Sequence, residues 1–101
     1  MKEKYIKAKV KTKLVLAGWQ CWFPIKSYYG LEKDIFGVFD CVAVKNNKVR
    51  FIQYTTLPNV SARRKKVREF LKKNDLEITA EVWGWSDKIK IFKIEEVKKD
   101  V

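Results

Sequence analysis

Asp40 stands in a stretch, residues 36–44, that otherwise reads as apolar on both faces of a strand, and a carboxylate in such a setting requires a partner. A hard metal ion is one such partner. The other is a set of hydrogen-bond donors from the backbone or from Gln53 and Thr55, and the residues leave both open. Gln53 and Thr55 share parity on the following strand and point to one side, while Ile52 and Tyr54 point to the other. A hairpin register that sets Gln53 opposite Asp40 would bring an acid and an amide oxygen to one point. The chain has no histidine and only two cysteines, which removes the usual zinc constellations and every histidine-based nucleophilic triad. Any catalysis must run on carboxylates, lysines or a hard metal ion.

A second constellation is basic. Arg63, Arg64, Lys65, Lys66, Arg68, Lys72 and Lys73 fall in one predicted helix in which Glu69 is the only acid. With Val60, Val67, Phe70 and Leu71 turned inward, most of these cations project outward and suit a phosphate backbone. A merely solvated helix face is the other reading of such a charge run. No groove-reading motif is present, so base-specific recognition is not implied. Among the aromatics, Trp83 and Trp85 share a sheet face and are expected in the core. Tyr28 and Tyr29, beside Ser27 and Gly30 in a loop, are the better candidates for stacking on unpaired bases.

The whole chain carries the same bias. Lys and Arg outnumber Asp and Glu by 23 to 12, and without histidine the net charge of +11 holds across the physiological range. Such an excess favours polyanions and predicts binding that weakens steeply as salt rises. Lipid headgroups and acidic proteins compete as partners, and a lysine-rich solubilising surface, as in heat-adapted proteins, is the reading without a ligand.

These residues need elements to position them. A chain of 101 residues, 47% of them hydrophobic, supports one compact core and a single domain over residues 1–101. Residues 4–17 alternate apolar and lysine in period two, which suits a strand. Ile6, Val10, Leu14 and Ala17 also line a helical stripe, and Gly18 stands where a C-terminal cap belongs, so helix is preferred. Residues 19–25 read as a strand near Pro24, 36–44 as a central strand, 45–48 as a hairpin turn and 49–55 as the returning strand. A helix capped by Asn59 or Ser61 runs to about residue 73, and strands at 77–85 and 88–94 follow. The order α-β-β-β-α-β-β predicts an α/β domain with a mixed central sheet flanked by helices. An all-β barrel is the alternative if residues 4–16 form a strand. Cys21 and Cys41, both in apolar stretches, are expected as buried thiols in a reducing compartment, the cytoplasm. No apolar run approaches the roughly 18 residues of a membrane span.

Residues 34–40, Asp-Ile-Phe-Gly-Val-Phe-Asp, together with 51–55, Phe-Ile-Gln-Tyr-Thr, resemble the core hairpin of the PD-(D/E)XK nucleases, and within them the archaeal Holliday-junction-resolvase branch. The stretches 61–66 and 81–85 are similar to small relatives of that fold, so the resemblance covers roughly residues 18–94. It implies a restriction-endonuclease-like fold, an N-terminal helix contributing Glu, magnesium (or manganese in its place) as cofactor, branched or duplex DNA as substrate, and a twofold homodimer. Carried over by position, Asp40 would hold metal, Gln53 would occupy the acid position of the metal site and Thr55 the lysine position. Two of these three depart from the pattern, and the helix carries Lys7, Lys9, Lys11 and Lys13 where Glu is expected. Asp34 or Glu32 could supply the missing carboxylate and Lys26 or Lys45 the missing cation. The alternative is a nucleic-acid-binding domain without catalysis.

Overall fold

A computed structural model describes residues 3–24 and 34–100. Helix α1 (Glu3–Leu16) leads into the short strand β1 (Gln20–Trp22), then β2 (Cys41–Lys45) and β3 (Lys48–Thr56). A single 3-10 turn (Leu57–Asn59) opens helix α2 (Val60–Asn74), which returns the chain to β4 (Thr79–Ser86) and β5 (Ile91–Val97). The five strands lie side by side in sequence order. β3 and β4 are parallel and every other pair is antiparallel. A parallel pair cannot be joined by a tight turn, and α2 supplies the crossover.

The sheet divides the core into two layers. Ile6, Val10 and Leu14 of α1 pack on Cys41, Ala43, Ile52, Tyr54, Trp83 and Trp85. Val67 and Leu71 of α2 pack on Ala80, Val82, Val97, Val38 and Phe39 across the opposite face. Strand parity produces this split, since alternate residues of β3 and β4 serve different helices. α1 is a helix because its i, i+4, i+8 stripe finds the sheet. Ala8, Thr12 and Leu16, the other half of the period-two pattern, are exposed. Ala17, expected on the stripe, is exposed as well. Gly18, at φ 86°, ends the helix with Gly18 N–H donating to Val15 O at 3.0 Å and Trp19 N–H to Leu14 O at 2.9 Å. These are the paired bonds of a Schellman cap. With two helices present, the all-β barrel is excluded.

The hairpin turn forms as expected, with Asn46 and Asn47 both at positive φ, 48° and 65°, as a two-residue type I′ turn requires. The expected strand over 36–44 is corrected. Its first half is a tight reversal in which Ile35 bridges Phe39, with Phe36 and Gly37 at φ 56° and 70°. Periodicity missed it because the reversal is itself apolar: Val38 and Phe39 are buried beneath α2, and Phe36 stacks on Phe70 at 5.6 Å. Phe39 therefore lies on the α2 face, opposite Cys41 and Ala43. Gly84 is fixed by close approach, because a Cβ there would come within 2.4 Å of Val60 Cγ2. The start of α2 thus rests directly on β4, over the ends of the parallel strands. Among the described residues, no helix is long and apolar enough to cross a membrane.

Candidate nucleic-acid interface

Asp40 precedes β2 at the end of the sheet where the parallel strands β3 and β4 terminate. Its N–H donates to Ile52 O at 2.8 Å, and the register pairs Cys41 with the same Ile52. Two consecutive residues thus face one, the pattern of a β-bulge, which re-aims the side chain it carries. The Asp40 carboxylate turns back to the neighbouring strand, and its Oδ2 accepts the Tyr54 N–H at 2.9 Å. The backbone partner anticipated for this acid is therefore present. Beside Tyr54, Gln53 is only 2% exposed and its Oε1 is buried without a hydrogen-bond partner. Thr55, also buried, pairs with Gly84 across the parallel ladder.

An unpartnered buried acceptor costs about 1–3 kcal/mol, and the oxygen of Gln53 is of the hard type that magnesium takes. One residue beyond the Ile35–Phe39 bridge, on either limb of the reversal, stand Asp34 and Asp40. The buried oxygen-bearing side chains here are Asp40 and Gln53, and Asp34 stands on the opposite limb of the reversal. No group of three or more His, Cys, Asp or Glu side chains able to hold a metal ion occurs among the described residues. Lys45 is not a replacement cation. It lies five residues along the strand from Asp40, roughly 16 Å at about 3.3 Å per residue, and its Nζ donates to Ala17 O at 2.7 Å. Lys26, Glu32, Tyr28 and Tyr29 lie outside the described residues.

The basic helix divides by side. Arg64 pairs with Glu95 of β5, Nε to Oε1 at 2.5 Å, a contact that raises its already high pKa. Arg68 Nε donates to Lys98 O at 3.2 Å. These two cations, expected to face phosphate, tie α2 to the β5 edge. Lys65, Lys72 and Lys73 are exposed, and Arg63 and Lys66 are half-buried. The chain matches no family model, no curated protein and no solved structure.

Two further features lie on the α1 face of the sheet. Lys7 Nζ lies 5.3 Å from the centre of the Phe23 ring and Lys9 Nζ 4.8 Å from that of Trp85, so α1 sets two ammonium groups over aromatic rings toward the Asp40 end. At the other end of the same face, Arg50 donates to Glu81 through Nε at 3.0 Å and Nη2 at 2.6 Å, between the rings of Trp19 and Trp83. Trp83 Nε1 donates to the same carboxylate at 2.9 Å. The signal for this cluster was a Glu at strand parity with two tryptophans, which demands a buried counter-charge.

Proposed function

We propose that the protein is a nucleic-acid-binding domain of PD-(D/E)XK nuclease-like architecture, with α2 tracking the phosphodiester backbone of duplex or branched DNA. The observation that carries this reading is the sorting of charge on α2. Arg64 and Arg68 are used internally, while Lys65, Lys72 and Lys73 stay exposed with Arg63 and Lys66 beside them. The α-β-β-β-α-β-β order, with Asp40 entering the second strand and Gln53 and Thr55 on the third, agrees with the resemblance. That resemblance extends the proposal to a homodimer acting on four-way junctions. Fluorescence anisotropy with labelled junction and duplex tests it. Affinity should fall as salt rises, and Lys65→Ala/Lys72→Ala/Lys73→Ala should flatten the duplex log–log slope by about 2.7, at about 0.9 per phosphate contact. No binding of either DNA at low salt would overturn the reading.

A second reading, metal-assisted phosphodiester hydrolysis, is favoured by the unpartnered Gln53 Oε1 near Asp40. Asp40 and Gln53 would hold magnesium, or manganese in its place, and such an ion lowers the pKa of bound water and stabilises a leaving oxygen. Thr55, without an ammonium, would contribute only its hydroxyl. Junction, flap, duplex and single-stranded DNA incubated with either metal should be cut by the wild type and left intact by Asp40→Ala. Cleavage that survives the substitution would remove Asp40 from the mechanism. Salt-sensitive binding with no cleavage would leave the binding function alone.

A further inference from the structure

Helix α1 and the edge strand β5 flank an open, shallow groove of about 680 Å³ on the face of the sheet opposite α2. We propose that this groove holds a single nucleic-acid strand, at a site separate from the duplex surface on α2; the proposal rests on the nucleic-acid reading above. Lys9 and Lys13 enter from the helix and Lys90 from the β4–β5 turn, and among the described residues no acid lines the groove. Between them lie apolar groups with no evident role in the fold: Leu16 is 82% exposed and Ile91 55% exposed, next to the half-buried ring of Phe92.

Ammonium groups beside an apolar floor complement a strand whose phosphates and unpaired bases are both accessible. A duplex hides its bases in the stack and would gain nothing from Leu16, Ile91 or Phe92. Among the described residues that line the groove, none is an acid that would pair with these lysines. Lys9 is held over the Trp85 ring, which leaves its charge intact. Asp87, in the turn beside Lys90, accepts the Trp85 indole N–H at 2.9 Å, which lowers its pKa, and the Lys90 charge lowers it further. Lys90 sits at φ 58°, a left-handed conformation in which glycine costs least. The turn thus carries a lysine where its backbone favours a residue without a side chain.

The test compares labelled oligothymidylate with a duplex of equal length, by anisotropy over a salt series. Lys9→Ala/Lys13→Ala/Lys90→Ala should weaken single-strand binding by at least about tenfold and flatten its salt slope by about 2, at about 0.7 per phosphate contact. Duplex affinity should stay within about twofold, because α2 is untouched. Leu16→Ser/Ile91→Ser should weaken single-strand binding and leave the salt slope unchanged. Lys90→Gly separates role from fold: its melting temperature should equal or exceed that of the wild type while oligothymidylate binding falls. Equal loss for both DNAs in the triple variant, or no loss for either, would overturn the groove proposal and leave the α2 reading standing. Wild type that binds neither DNA would remove both. Binding to vesicles of phosphatidylserine and phosphatidylcholine that the triple variant abolishes, with oligothymidylate binding unchanged, would assign the groove to a lipid surface and overturn the proposal.

Discussion

The two faces of the sheet are packed with different chemistry. On the α1 face cations meet aromatic rings: half-buried Arg50 lies between Trp19 and Trp83, and exposed Lys9 and Lys7 lie over Trp85 and Phe23. On the α2 face the core is hydrocarbon, with Phe39 against Phe51 at 5.4 Å and against Phe70 at 5.7 Å, and charge is kept to the rim. The difference shows how one small domain can carry +11 without burying unpaired charge. On the α1 side the half-buried guanidinium of Arg50 is matched by Glu81, whereas α2 displays its lysines to solvent, where a polyanion can reach them.

The largest expected effect falls on the α1 face. Glu81→Ala leaves the Arg50 guanidinium and the Trp83 indole N–H without their acceptor and should destabilise the fold by about 3–5 kcal/mol, read by urea denaturation. Arg50→Met/Glu81→Leu should recover most of that loss, and a double variant as unstable as the single would show that packing, not charge, governs this cluster. On the α2 face the matching disruption is a cavity. Leu71→Ala should cost about 2–5 kcal/mol by the same measurement. Gln53→Leu acts in the opposite direction. Removing an unpartnered buried acceptor should leave stability unchanged or raise it by about 1 kcal/mol. A clear loss would show that the amide has a structural partner.

The smallest effect is one of pH. An unfolded cysteine ionises near its ordinary value of 9.0, while burial first and the Asp40 charge second hold the Cys41 proton to higher pH in the fold. Above 9 the unfolded state has therefore shed a proton that the folded state keeps, so this contribution, constant below roughly pH 8, favours unfolding increasingly as pH rises. Stability measured against pH should fall less steeply above 9 in Cys41→Ala than in the wild type. Parallel slopes would contradict the assignment.

Much of the architecture was legible because each helix carries one buried stripe and turn residues bound the apolar runs that form the strands. Ile6, Val10 and Leu14 settled α1 against the alternating pattern, since only a helix buries all three while exposing Ala8 and Thr12. The reversal at Ile35 and Phe39 was not legible, because its residues are as apolar as a strand and only the positive φ at Phe36 and Gly37 betrays it. In the candidate site, the buried setting of Asp40, Gln53 and Thr55 followed from the pattern, but the bulge that re-aims Asp40 onto Tyr54 N–H did not. Nor did the division of the basic helix, which depends on where Glu95 and the Lys98 carbonyl lie across the β5 edge.

The measurement that tests the central claim most directly is the salt dependence of duplex binding. With Arg63, Lys65, Lys66, Lys72 and Lys73 contacting phosphate, log affinity against log salt should have a slope of about −4.5, at about 0.9 per contact. Alanine at Lys65, Lys72 and Lys73 should reduce that slope to about −1.8. A wild-type slope near zero, or one unchanged by those substitutions, would contradict the assignment of α2 as the phosphate-tracking surface.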